Sequence, residues 1–413
     1  MPAIRDASLA PLGRQRIQWV QDFMPVLSGI REDFEREQPF RGLRIAVSVH
    51  MEAKTAYLTL VLRAGGAQVR ATGSNPLSTK DDVCAALAAE GVEVFGWFGA
   101  TEAEYREHLR QTLEFCPHIV IDDGGDLVNM LLGEHRAYAR ELIGGCEETT
   151  TGVHRLRALA REGRLPFPML DVNDADSKHL FDNRHGTGQS VWDGIMYATN
   201  NMVAGRTVVV AGFGFCGRGI AQRAQGLGAN VIVTEVDPHR ALEAAMEGYR
   251  VMPMAEAAPL GDVFVTATGC KDVICKPHLE RMKHNAILAN AGHFDVEINK
   301  EDLRSISVRI ENRKPFIDGY RLPDGRVINL MADGRLVNIV AGNGHPAEIM
   351  DMSFALQALC ARHLAREGKG LAGGLYPVPA AIDREVAARK ATAMGIGLDR
   401  LTEEQAAYLK GGF

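Results

Sequence analysis

The sequence predicts an α/β protein built as two doubly wound, mostly parallel-sheet domains, with a short helical arm at the C-terminal end. Three observations predict it. Between residues 43 and 121 short apolar strands alternate with helical stretches, the pattern of a parallel sheet covered by helices. Residues 207–219 run an apolar strand into a Gly-x-Gly-x-x-Gly turn. At 413 residues the chain is too long for one ordinary core.

The elements follow in order. Ile17, Val20, Phe23, Met24, Leu27, Ile30 and Phe34 fall at helical spacing and predict one opening amphipathic helix. Strands are predicted at 43–49, 67–71, 92–95 and 118–121, with helices at 54–63 and 79–90 between them. In such sheets ligands sit beyond the carboxyl ends of the strands, which singles out His50, Asp122 and Asp123. In the glycine turn Gly212 allows the bend, Gly214 lets backbone approach a pyrophosphate, and Gly217 lets strand and helix pack closely. A second strand, 230–235, ends in Glu235, whose carboxylate suits both ribose hydroxyls of NAD and repels the extra phosphate of NADP. NAD is the expected cofactor. Further strands are predicted at 263–267 and 286–290, then a long helix at 347–367 returning to the first domain. The expected boundaries are 1–186 for a substrate domain, 187–344 for the dinucleotide domain, 345–380 for the return and 381–413 for a helical oligomerisation arm.

Bulk properties exclude several classes. An apolar content of 46% with 24% charged residues is that of a globular protein, and a net charge of −6 with no clustered basic stripe offers nothing to nucleic acid. No apolar run reaches membrane-spanning length and no secretory pattern opens the chain. The seven cysteines (84, 116, 146, 216, 270, 275 and 360) are scattered without metal-ligand or Cys-x-x-Cys spacing, so free thiols, a reducing cytoplasm and no metal are expected.

Polar clusters stand where a fold alone does not require them. Cys146-Glu-Glu-Thr-Thr-Thr-Gly152 sets two carboxylates beside three hydroxyls, although Thr and Glu also cap helices. Asn173-Asp174, Lys178 and Asp182-Asn183 place an ammonium four residues from each of two carboxylates, which on a solvated helix would be ordinary i,i+4 pairs. Asn290-Ala-Gly-His-Phe-Asp295 delivers His293 just after a strand of the dinucleotide domain, on the nicotinamide side. Gly344-His345-Pro346 lies at the crossing between domains, where a hinge or gate belongs.

These stretches together, with His50-Met51, Asp122-Asp-Gly-Gly-Asp-Leu127, Gly292-His-Phe-Asp-Val-Glu297 and Gly334-Arg-Leu-Val-Asn338, resemble the S-adenosylhomocysteine hydrolase family over nearly the whole chain. The Gly-Thr-Gly-Gln run at 186–189 and the stop soon after Tyr408 resemble its shorter archaeal and thermophilic-bacterial branch. The resemblance implies reversible hydrolysis of a nucleosyl-homocysteine thioether: oxidation of the ribose 3′ hydroxyl, loss of the C4′ proton, departure of homocysteine, addition of water, and re-reduction. It implies that Lys178 and Asp182 handle the 3′ hydroxyl, Glu148 the 2′ hydroxyl, and Asp123 with His50 the protons at C4′ and C5′, with His293 beside the reacting ribose and homocysteine. On the cofactor side it implies Thr149, Thr150, Thr151 and Asn183, the turn residues Gly212, Gly214, Phe215, Cys216 and Gly217, then Glu235, Arg240, Ala291, Asn338 and His345. His345 is also placed with the substrate, and Lys178 beside two carboxylates leaves open which group is the base. An assembly of two or four copies is implied as well.

The chain departs from the family at informative positions. Typical members read His-Met-Thr-x-Glu-Thr where this chain has His50-Met-Glu-Ala-Lys-Thr55. Glu52, an acceptor, and Lys54, a donor, invert the hydrogen-bonding edge, with Thr55 retained. They complement hypoxanthine, which has hydrogen on N1 and oxygen at C6, and leave adenine unpaired. S-inosylhomocysteine is therefore the expected substrate, with S-adenosylhomocysteine as the slower alternative. Thr187 stands where many relatives carry a Cys near the nicotinamide, Arg240 replaces an Asn that helps bind the cofactor ribose, and the longer tail of many relatives is missing. Two other classes compete: a non-catalytic NAD-binding regulator, and an ordinary dehydrogenase, which would not need the Glu-Glu-Thr-Thr-Thr or Asp-Asp-Gly-Gly-Asp stretches.

Overall fold

Two sheets organise the chain in the computed structural model, which describes residues 2–411. The first is laid down as β1 (Arg44–Ser48), β2 (Gln68–Thr72), β3 (Glu93–Phe95), β4 (Ile119–Asp122), β5 (Gly144–Glu147) and β6 (Pro168–Asp171). The second contains β7 (Thr207–Ala211), β8 (Asn230–Thr234), β9 (Arg250–Val251), β10 (Val263–Thr266), β11 (Ala286–Asn290), β12 (Arg309–Lys314), β13 (Ile317–Arg321) and β14 (Val327–Met331). The chain then returns, and β15 (Gly374–Pro377) joins the first sheet beside β6.

The first sheet has the order β15-β6-β5-β4-β1-β2-β3 and every pair is parallel. Its central strands are buried on both faces and read as continuous apolar runs, as Ile45-Ala-Val47 and Ile119-Val-Ile121 do. The second sheet has the order β12-β13-β14-β11-β10-β7-β8-β9. From β14 to β9 it is parallel, while β12, β13 and β14 pair antiparallel at one edge. The α/β class and the predominantly parallel pairing are as expected; the antiparallel edge is an addition. In both sheets the order reverses next to the first strand laid down, β1 or β7, so each has a crevice at its strands' carboxyl ends.

One local expectation needs correction, and two others gain detail. The opening helix is two helices, Ala10–Asp22 and Pro25–Glu37. Pro25 has no amide hydrogen to continue the first helix and pushes Met24 out of helical geometry. The C-terminal arm is likewise two helices, Ala380–Ala393 and Glu403–Leu409, separated at Gly395, whose φ is +68°. The long returning helix stands at Ala347–Glu367 as expected, and β15, which was not expected, follows it.

That returning helix is buried along most of its length and packs against β4, β5 and the helix Pro25–Glu37. Met350, Phe354, Leu356 and Leu359 share one core with Ile45, Val47, Ile121 and Leu170. Asp351 accepts from the Val26 and Leu27 amides at 3.2 and 2.8 Å and from Lys390 at 2.9 Å, tying the return, the second helix and the arm together. Among the described residues no helix is long and apolar enough to cross a membrane. All seven cysteines are free.

Candidate active site

The carboxyl ends of the two sheets face one cleft. His50 follows β1, Asp123 follows β4 and Glu148 follows β5, while Ala291 and His293 follow β11 of the other sheet; all of them line it.

His50, Asp123 and His293 form one cluster. Asp123 Oδ2 is 3.5 Å from His50 Nε2 and accepts a 2.9 Å hydrogen bond from Ser74, and Oδ1 is 3.9 Å from His293 Nδ1. Ser78 Oγ lies 2.7 Å from His50 Nδ1 and fixes the ring. Burial pulls the His50 pKa down to about 4 against the opposing pull of Asp123, so the imidazole is neutral at neutral pH and able to accept a proton. The donor atoms of these three side chains all lie within 4.8 Å of one another, which is also the composition of a divalent-cation site.

The second cluster surrounds Lys178. The chain from Asp176 to Thr199 is helical throughout but widens into a π-helical stretch at His179–Gly186. The wider turn brings both the i+4 and i+5 side chains to Lys178. Asp182 Oδ1 is 3.6 Å from its ammonium, and Asn183 Oδ1 accepts from it at 2.8 Å. Glu148 Oε1, from β5's end, is also 3.6 Å away. Burial alone would discharge Lys178, but Asp182 and Glu148 outweigh it and raise its pKa. Asp182 is held below the usual range: burial opposes ionisation, and Lys178, His345 and Ser353 together overcome it. Asn183 Nδ2 donates to Asn173 at 3.1 Å and Thr150 donates to the same oxygen at 3.2 Å. Asp174, expected beside Lys178, instead pairs with Arg157 at 2.9 Å; the second carboxylate at the ammonium is Glu148.

His345 stands on the crossing segment with Nδ1 2.7 Å from Asp182 Oδ1 and Nε2 3.2 Å from Thr187 Oγ1. Thr187 in turn approaches the Cys216 thiol at 3.6 Å, so a polar chain links the crossing segment, the Lys178 cluster and the glycine turn. Glu52, Lys54 and Thr55 line the opposite wall. Lys54 is buried, not directed to solvent: its ammonium is 2.9 Å from Glu52 and donates to the Asn343 carbonyl at 3.0 Å. Thr55 is wholly buried and donates to the His50 carbonyl at 2.6 Å.

The remaining residues suit a dinucleotide. Gly212 has φ +94°, and a β-carbon on Gly217 would lie 1.9 Å from the Gly212 carbonyl oxygen, so the turn is close-packed against the start of the helix Phe215–Gly226, where a phosphate charge is favoured. Glu235 directly follows β8 and accepts from the Phe213 amide at 2.7 Å, which sets it against that turn. Exposed Arg240 reaches over Gly214, its guanidinium 3.6 Å from where a β-carbon there would stand. Phe215 is partly exposed with its ring 4.4 Å from His179. Asn338 lines the cleft with a buried Oδ1 that has no hydrogen-bond partner, as a carboxamide-bearing ring would require. Thr149 and Thr150 line the cleft, and Thr151 sits half-buried in the first turn of the helix Thr150–Arg161.

Sequence reasoning missed Ser74, Ser78, Ser353 and Gln357. The last two donate at 2.6 Å to Asp182 and Glu148 respectively. Their signal was polarity inside an otherwise apolar helix.

The family model described as S-adenosyl-L-homocysteine hydrolase matches residues 2–140, and that of the same family's NAD binding domain matches residues 183–344. The chain is 56% identical to a protein named S-inosyl-L-homocysteine hydrolase from Methanopyrus kandleri, over 99% of this chain and 96% of that one. It is 56% identical to the adenosylhomocysteinase of Pyrococcus abyssi, over 98% and 96% of the two chains. A protein named S-inosyl-L-homocysteine hydrolase from Methanocaldococcus jannaschii is 52% identical over 99% of both chains. The chain belongs to the S-adenosyl-L-homocysteine hydrolase family of enzymes, with NAD as its cofactor.

Proposed function

We propose that the protein reversibly hydrolyses an S-nucleosyl-L-homocysteine to nucleoside and L-homocysteine, with the inosyl compound preferred. The observation that carries the preference is the Glu52–Lys54 pair on the cleft wall, with Lys54 buried. An acceptor and a donor side by side match N1–H and O6 of hypoxanthine, whereas adenine would set its N1 lone pair against Glu52 and its amino group against Lys54. Relatives of equal identity carry either name, so overall similarity does not choose between the bases.

In this reading the first sheet and the returning helix hold the nucleoside, and the second sheet holds the cofactor. Bound NAD supplies a reversible hydride acceptor for C3′. Lys178 and its carboxylates bind and deprotonate the 3′ hydroxyl, and the resulting ketone acidifies the C4′ hydrogen. The Asp123–His50 pair takes that proton and returns one to the departing sulfur, while His293 closes the ribose from the cofactor side. Thr149, Thr150, Asn183 and Asn338 would hold the nicotinamide end; Glu235 and Arg240 would hold the ribose at the other. The chain is read as assembling with itself, in two or four copies in the cytoplasm.

The test is homocysteine release from S-inosyl- and S-adenosyl-homocysteine by purified protein supplied with NAD. The reading expects cleavage of both with a higher kcat/KM for the inosyl compound. Cleavage of neither overturns the function, and preference for the adenosyl compound overturns the choice of base.

A further inference from the structure

The two carboxylates beside Lys178 are held differently. Asp182 has both oxygens engaged, Oδ1 by His345 at 2.7 Å and Oδ2 by Ser353 at 2.6 Å. Glu148 has one: Oε2 accepts from Gln357 Nε2 at 2.6 Å, while Oε1 is buried without a hydrogen-bond partner, 3.6 Å from the Lys178 ammonium. Gln357 is wholly buried and its own Oε1 has no partner, so its hydrogen bond to Glu148 is the contact that orients it.

We infer that Glu148 is the proton acceptor when the 3′ hydroxyl is oxidised, and that Gln357 is the positioning residue that turns its open oxygen toward Lys178. This rests on the function proposed above. The hydroxyl proton passes to Lys178 as Lys178 passes one of its own to Glu148 Oε1. Lys178 remains an ammonium, Glu148 goes from carboxylate to carboxylic acid, the C3′–O bond becomes a carbonyl, and the C3′ hydride goes to NAD. Re-reduction reverses each transfer. Lys178 alone cannot be the resting acceptor, because it is already charged. Asp182, engaged at both oxygens and held ionised, is the weaker base.

Burial raises the Glu148 pKa to about 7 against the lowering by Lys178, which matches the acceptor to a neutral working pH. The titratable groups facing it are Lys178 and Asp182 on the π-helical segment, Asp123 after β4, and Cys146 on its own strand. Gln357 faces it from the returning helix and stabilises the carboxylate.

The experiment is an infrared pH titration of the holoenzyme without substrate, paired with the pH profile of cofactor reduction in a single turnover. A carboxyl stretch titrating near pH 7 is expected, absent in Glu148→Gln and moved up by about one unit in Gln357→Met, because a donor to the charged form is lost. The acid limb of the reduction profile is expected to move by the same amount, with Gln357→Asn between the two. A merely structural Gln357 would lower the rate at every pH without moving the limb. A neutral-range band that survives Glu148→Gln, or a limb unmoved in Gln357→Met and Gln357→Asn, overturns the inference. Failure of the wild-type enzyme to reduce its cofactor with either nucleoside overturns the proposed function instead, and the resting titration still reads Glu148.

Discussion

Gly124 and His293 meet across the two sheets: a β-carbon on Gly124 would lie 2.6 Å from His293 Nε2. Gly124 has φ +104°, so the position excludes a side chain on both counts. Gly124→Ala is expected to destabilise the protein by about 1 kcal/mol or more. Because the His293 ring can swing away, the larger effect falls on chemistry. Displacing it from Asp123 should lower kcat/KM roughly 10²-fold, as ångström-scale misplacement of reacting groups does. Thermal denaturation and steady-state kinetics together check both halves. A variant that keeps full activity would show that His293 acts from a different position.

Exchanging the donor and acceptor on the cleft wall should exchange the base. Glu52→Thr with Lys54→Glu is expected to shift the ratio of kcat/KM for the inosyl over the adenosyl compound toward the adenosyl by roughly 10² or more, since buried polar mismatches are costly. The double variant also breaks the Lys54 bond to the Asn343 carbonyl at the crossing segment, so both substrates should lose some rate. An unchanged ratio would show that these side chains do not read the base.

Removing the Lys178 ammonium leaves Asp182 and Glu148 buried with their charges uncompensated. Lys178→Met should abolish reduction of bound cofactor by substrate and destabilise the fold by about 3–5 kcal/mol at pH 8. Asp182→Asn should also abolish cofactor reduction. At pH 5 the orphaned carboxylates of Lys178→Met can take up protons, so the stability loss should shrink there. Urea unfolding at the two pH values tests the sign: an equal loss at both would mean that water or another cation replaces the ammonium.

Asp122 and Glu147 face each other on β4 and β5. Burial raises the Asp122 pKa to about 7 and raises Glu147 well above the usual range, against the lowering effect of the backbone amides they accept. A carboxyl whose pKa is higher folded than unfolded contributes stability that is complete below the unfolded value and lost as pH rises through the folded one. Between roughly pH 4 and 7 the unfolded chain has released the Asp122 proton and the folded chain has not. Stability should therefore fall across that window by up to about 1.4 kcal/mol per pH unit from this group. Asp122→Asn, which cannot ionise, should flatten the slope in urea titrations; an unchanged slope would assign it to other groups.

The sequence made legible what periodicity and turn chemistry encode. The β1–β4 strands and the glycine turn could be located because apolar runs alternate with helical spacing, and Glu235 because it closes the apolar run of β8. Other features had no local signal. β12 is exposed along most of its length and shows no alternation, and β15 has four residues and ends in proline. Lys178 and Asp182 were readable as an i,i+4 pair, but the π-helical widening that adds Asn183 was not. Glu148 reaches Lys178 from another strand, a pairing that only the tertiary fold defines. Asp174 was a plausible partner by spacing and lost to Arg157 by position.

The arm offers the last prediction. Met394, Ile396, Leu398 and Leu401 are half or more exposed on the segment between its two helices, and Val236, next to Glu235, and Leu242 and Met246, on the helix Pro238–Met246 that follows, are exposed as well. Isolated exposed apolar residues are ordinary, but two such groups, one on an extended arm and one beside the cofactor site, match what a second copy would cover. Deleting residues 394–413 should reduce the proposed assembly to a smaller species in sedimentation. It should also weaken NAD retention on gel filtration, because the neighbour's arm would no longer shield the Glu235 end. The truncation spares the described core, since Val386 and Lys390, the buried residues of the helix Ala380–Ala393, remain. A truncated protein of unchanged mass that keeps its cofactor would place the interface elsewhere.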